Sequence, residues 1–128
     1  MRIDYTVATD KSYDEAVAAV VERTGANGFR VQHVHDVGAT LAEKGFGRDP
    51  VSIVEVCNAK FASQVLERDI NIGLMLPCPI MVYERDGEVL IGTMKPTLIG
   101  GFFPDAELDE IAGQVEVVVK RIVDEAAV

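Results

Sequence analysis

Hydrophobic residues along this chain alternate between two periods, and the changes of period mark its elements. Ile3, Tyr5 and Val7 recur at every second position, the spacing that puts side chains on one face of a strand, so Arg2–Ala8 reads as a first strand. The period then changes. Tyr13, Ala16, Val17, Val20, Val21 and Thr24 form one helical stripe, opened by the capping box Ser12-Tyr13-Asp14-Glu15 and expected to close at Gly25. Phe29–His35 alternates again as a second strand, and a short helix is expected from Val37 to Lys44, closed by Gly45. Gly47–Pro50 reads as a turn. Val51–Cys57 is apolar and β-branched enough for a third strand, and Asn58 is placed to cap a helix carrying Phe61, Ala62, Val65 and Leu66.

Asn71–Pro77 is expected to be irregular. Pro79–Glu84 and Glu88–Met94 flank Asp86-Gly87, a hairpin signal, because a tight turn between twisted strands needs two residues at positive φ. Pro96–Pro104 reads as a loop with Gly100-Gly101 followed by Phe102-Phe103. From about Asp105, Leu108, Ile111, Ala112, Val115, Val118, Val119 and Ile122 recur at three and four residues, the stripe of a long amphipathic helix. Pro79–Met94 leaves no room for a crossover helix, so a doubly wound parallel sheet fits poorly. The pattern predicts a two-layer α+β fold: a mostly antiparallel sheet with helices on one face, in a single domain spanning residues 1–128.

Composition narrows the function classes. At 128 residues and 48% hydrophobic, the chain can bury a core without staples. Its 21 acidic residues against 12 basic ones give a net charge of −9. With no basic cluster to replace the counterions on phosphates, nucleic acid and anionic membrane surfaces are excluded as expected partners. The acid reads as solubility. The apolar stretch from Ile70 to Met81 is broken by Asn71, Pro77 and Pro79, too short for the roughly 20 residues of a spanning helix. The N-terminus shows no apolar signal region, so a soluble, cytoplasmic protein with Cys57 and Cys78 as reduced thiols is expected.

Three segments together carry a family resemblance: His35-Asp36-Val37-Gly38, Glu55-Val56-Cys57-Asn58-Ala59, and Leu76-Pro77-Cys78-Pro79-Ile80-Met81-Val82-Tyr83-Glu84 with Asp86-Gly87. With the order of elements, they resemble the small bacterial and archaeal proteins of the domain of unknown function 302 family, over nearly the whole chain. The resemblance implies a β-α-β(4)-α fold of TATA-binding-protein-like topology, which concerns topology and implies no DNA binding. It implies no settled activity. Two positions depart from the family pattern: Ala59 stands where proline usually follows Cys-Asn, and Pro79 where arginine often follows Leu-Pro-Cys.

The candidate chemistry centres on the cysteines. Cys57 ends a strand just before the cap of a helix, where the helix dipole and free amides stabilise a thiolate. Cys78 lies between two prolines, 21 positions on. The competing role for each is that of a small buried hydrophobe. His33 and His35 share a face of one strand, and His35 with a cysteine would make a soft N/S donor pair. No Cys-x-x-Cys and no second histidine cluster support a four-ligand metal site, so no metal or cofactor is expected. Glu55 stands out in an apolar strand, either turned to solvent or buried beside a thiol; alternation places it on one face with Ile53 and Cys57. Gly45-Phe46-Gly47-Arg48 lacks the ending of a phosphate loop, and no nucleophile elbow or dinucleotide fingerprint occurs.

The sequence therefore defines a place for a site rather than a reaction. Its leading reading is a non-catalytic binding module that holds a small ligand or ion near Cys57, Cys78, His35, Asn58 and Glu55, with Phe102-Phe103 limiting access. One alternative is a thiol-based redox protein or enzyme with Cys57 as nucleophile. Another is a homodimeric interaction domain, because Pro79–Glu84 is apolar at successive positions, as in strands buried on both faces.

Overall fold

A computed structural model describes residues 2–128. Five strands form one antiparallel sheet: β1 (Asp4–Thr9), β2 (Arg30–Asp36), β3 (Val51–Cys57), β4 (Cys78–Arg85) and β5 (Glu88–Met94), in the spatial order β1-β5-β4-β3-β2. The helices are α1 (Tyr13–Ala26), α2 (Val37–Glu43), α3 (Ala59–Arg68), the single turn α4 (Ile99–Phe102) and α5 (Asp109–Ala127). The α+β class expected from the sequence is the class observed.

Alternation fixes which face is buried. Tyr5 and Val7 on β1, Val89 and Ile91 on β5, Ile80 and Val82 on β4, and Val54 and Val56 on β3 meet the apolar stripes of α1 and α5. Ile80, Val82, Ile91, Val54 and Val56 are fully excluded from solvent there, as are Val20 of α1 and Val119, Ile122 and Val123 of α5. Polar ties fix the helices on this core. The Tyr13 and Ser52 hydroxyls hydrogen-bond between α1 and β3, and the Tyr5 hydroxyl donates to Asp124 Oδ1 of α5 at 2.6 Å. The buried Thr24 hydroxyl donates to the Val20 carbonyl at 2.6 Å, so it leaves no unsatisfied group in the core.

The Ser12–Glu15 capping box and the Asp86-Gly87 turn form as predicted, the turn with φ of +52° and +82°. Other boundaries differ from the sequence reading. Helix α1 runs through Gly25 to Ala26; Asn27 caps it, and Gly28, at φ +79°, takes the left-handed position. The Asn27 side chain explains the two extra residues, since its Nδ2 donates to the Arg23 carbonyl at 2.8 Å and to Glu125 Oε1 at 2.9 Å. The segment before β4 is ordered as a 3-10 helix, Ile70–Met75, whose start is capped by the Asp69 carboxylate accepting from the Asn71 amide at 2.9 Å. The last helix starts at Asp109 rather than Asp105, because Pro104–Ala106 makes a separate 3-10 turn and Glu107 leaves it at φ +53°. Arg68 holds that corner by donating to the Ala106 and Glu107 carbonyls at 2.9 and 2.8 Å.

A second, smaller core follows from these turns. Ile72, Ile99, Ala106 and Leu108 are buried together, with Val65, Met75, Met94 and Phe103 against them. Phe103 anchors its loop inward, whereas Phe102 stays 71% exposed. No helix among the described residues is long and apolar enough to cross a membrane.

Candidate functional site

The two cores meet at the ends of β3 and β4, and a pocket opens between them. It has a cavity volume of about 50 Å³. Helix α3 contributes Phe61, Ala62 and Val65, helix α5 contributes Ala112 and Val115, and Ile72, Ile99 and Leu108 of the second core form the far wall. Cys57, Asn58 and Cys78 line the remaining side with Phe29. Both cysteines are free thiols and both keep partial exposure. No charged side chain lines the pocket among the described residues.

Local sequence explains how the thiols converge. In the β3–β4 register, Val56 lies opposite Cys78, so Cys57 stands one position beyond the pair that Cys78 closes. Strict alternation would send Cys57 to the face of Glu55, but the chain turns into α3 immediately afterwards and Cys57 lines the pocket instead. Asn58 makes that turn. Its Oδ1 accepts from the Phe61 amide at 3.1 Å, and its Nδ2 donates to the Gly28 carbonyl at 3.0 Å. One side chain thus starts α3 and ties it to the end of α1. Asn58→Ala removes both bonds and is expected to lower the unfolding free energy by about 1–2 kcal/mol, measured by urea denaturation.

Electrostatics separate a buried thiol from a nucleophile. Apolar surroundings disfavour the charged form, and burial, assisted by the neighbouring Cys57, pushes the Cys78 thiol up to about 11. Cys78 is therefore held protonated at neutral pH.

The other sequence candidates lie elsewhere. His35 Nε2 sits 3.0 Å from Glu55 Oε1, and the His33 and His35 rings touch edge-on with centroids 4.4 Å apart. This group occupies the sheet face away from the helices, so the structure joins Cys57, Cys78 and Asn58 but leaves His35 and Glu55 paired with each other. No group of three or more His, Cys, Asp or Glu side chains among the described residues is placed to hold a metal ion. The apolar walls from the 3-10 helix and α4 carry no signal in the sequence. Their residues are scattered over some 40 positions without a common period, and only the second core assembles them.

A two-layer α+β domain with a thiol-bearing apolar pocket at the sheet end is the class of protein these features define. The model of the family described as "Domain of unknown function DUF302" matches residues 5–126. The chain belongs to that family. It is similar to a solved structure of an uncharacterised conserved DUF302 protein from Bacillus stearothermophilus, with 33% identity, a TM-score of 0.93, and coverage of 98% of this chain and 99% of that one. No curated protein matches it significantly.

Proposed function

We propose that this protein is a binding module that takes a small apolar ligand, or one apolar group of a larger ligand, in the pocket beside Cys57 and Cys78. The observation that carries this reading is the convergence of both family cysteine motifs on one cavity whose walls are apolar. Removing apolar surface from water drives such binding, by about 0.8 kcal/mol per methylene. Thiol catalysis is less well supported, because a nucleophile needs a base or an orienting acid beside it. Besides the two thiols, the polar side chain at the pocket among the described residues is Asn58, and its amide is occupied by the α3 cap and the Gly28 carbonyl.

The test uses a series of n-alcohols from ethanol to hexanol, titrated while the methyl NMR signals of Val65, Ile72 and Val115 are followed. Affinity should rise with chain length and then break off when the pocket is full. Ala112→Val, which places two methyl groups into the cavity from α5, should move the break to a shorter alcohol. A smooth rise without a break, unchanged by Ala112→Val, would mean non-specific adsorption and end this reading.

A second reading concerns assembly, and the uncovered sheet face favours it. Ile53, Met81 and Leu90 lie on that face in two neighbouring rows, with Met81 37% exposed. Five strands about 4.8 Å apart and about six residues long present roughly 500 Å² in projection. Side-chain relief raises this toward the ~800 Å² per partner of a standard interface. The occupant we infer is a second copy of this chain. Sedimentation velocity should then show a dimer at micromolar concentration, reduced to monomer by Met81→Lys; a wild-type monomer would refute it.

A further inference from the structure

We propose that Cys57 and Cys78 together hold one soft monovalent cation, copper(I), two-coordinate between their sulphurs at the mouth of the apolar pocket. The inference deepens the binding reading and rests on it for the placement of the two thiols on one cavity. The donor set selects the metal. Thiolates are soft donors that favour copper(I), and a d10 monovalent ion is satisfied by two of them. Zinc requires about four ligands in a structural site and three protein ligands in a catalytic one. Here no third ligand is at hand: among the described residues no cluster of three metal-binding side chains exists, and the Asn58 amide is already hydrogen-bonded on both atoms. His35, the nearest histidine in the sequence motifs, is turned to Glu55 on the other face.

The surroundings suit the same ion. The pocket is lined by no charged side chain among the described residues, so the two thiols are its softest donors. Its apolar walls, Phe61 and Val65 among them, offer none of the carboxylate oxygens that hard cations require. Binding is a proton exchange without redox change: two thiols lose two protons, one copper(I) enters, and two sulphur–copper bonds form. The site gains one negative charge. The positive end of α3, a ten-residue helix beginning directly after Cys57 and Asn58, lies where that charge develops.

The experiment is an anaerobic competition between the whole protein and the copper(I) complex of bicinchoninate, with a non-thiol reductant. Wild type should remove one equivalent of copper(I), release two protons in unbuffered solution, and leave zinc(II) with a chromogenic zinc chelator. Cys57→Ala and Cys78→Ala should each weaken copper binding by at least about 100-fold, since even losing an outer-sphere partner costs 10–100-fold. Retained far-UV circular dichroism and a cooperative urea transition show that each variant is folded. No copper uptake by wild type, one proton released per copper, or full uptake by either folded variant overturns the proposal. Failure of copper with intact alcohol binding leaves the apolar-ligand reading standing, so the two fail separately.

Discussion

Iodoacetamide is expected to modify Cys78 of the native protein about 100-fold more slowly at pH 7 than an unperturbed thiol. The nucleophile is the thiolate, and a thiol pushed up to about 11 from an ordinary 9 carries about one-hundredth as much of it. Mass-spectrometric time courses, with the cysteines resolved by peptide, supply the measurement. A Cys78 rate matching that of a free thiol would show that the site is not desolvated. The same shift has a consequence for stability. Because the folded value lies above the unfolded one, native Cys78 keeps its proton between about pH 9 and 11 while the unfolded chain loses it. The stabilisation is complete below pH 9 and fades toward pH 11, by about 2–3 kcal/mol. Tyr5, raised by its hydrogen bond to Asp124, and Tyr13, raised by burial, act in the same direction. The Cys78→Ala variant isolates the thiol, because its urea midpoint should fall less steeply over this range than that of wild type.

Ile80→Ala should lower the unfolding free energy by about 2–5 kcal/mol, while Met81→Ala, one residue away, should cost less than about 1 kcal/mol in the monomer. Ile80 sits on the central strand with no exposure and faces the helices, so truncating it leaves a cavity that packed neighbours cannot fill. Met81 points to the open face and is already 37% exposed. Urea denaturation at low protein concentration measures both. Comparable losses at the two positions would contradict the assignment of faces. A Met81→Ala loss that grows with protein concentration would instead report the sheet-face dimer, because association stabilises by mass action.

The clustering of the motifs carries more functional weight than either cysteine alone. A lone buried cysteine is commonly a small hydrophobe. Two of them on one cavity, at adjoining strand ends, place two thiols against the same apolar walls. That juxtaposition is common to the ligand and copper readings.

Much of this arrangement was written locally. The period-two runs of β1 and β2, the Ser12–Glu15 box, the Asp86-Gly87 turn and the Asn58 cap depend on neighbours within a few residues, so the sequence determined them directly. Even the position of Cys57 before a helix was legible in this way. The end of α1 was not, because Asn27 and Glu125, 98 positions apart, decide it together. Neither was the pocket. Its walls come from α3, the 3-10 helix, α4 and α5, and only the packing of two cores brings them against Cys57 and Cys78. The parting of His35 and Glu55 from the thiols has the same origin, since alternation fixes relative faces but the turn at the strand end decides where Cys57 goes. Local periodicity thus fixed the elements and their faces, and long-range burial of apolar surface decided which of those faces share a cavity.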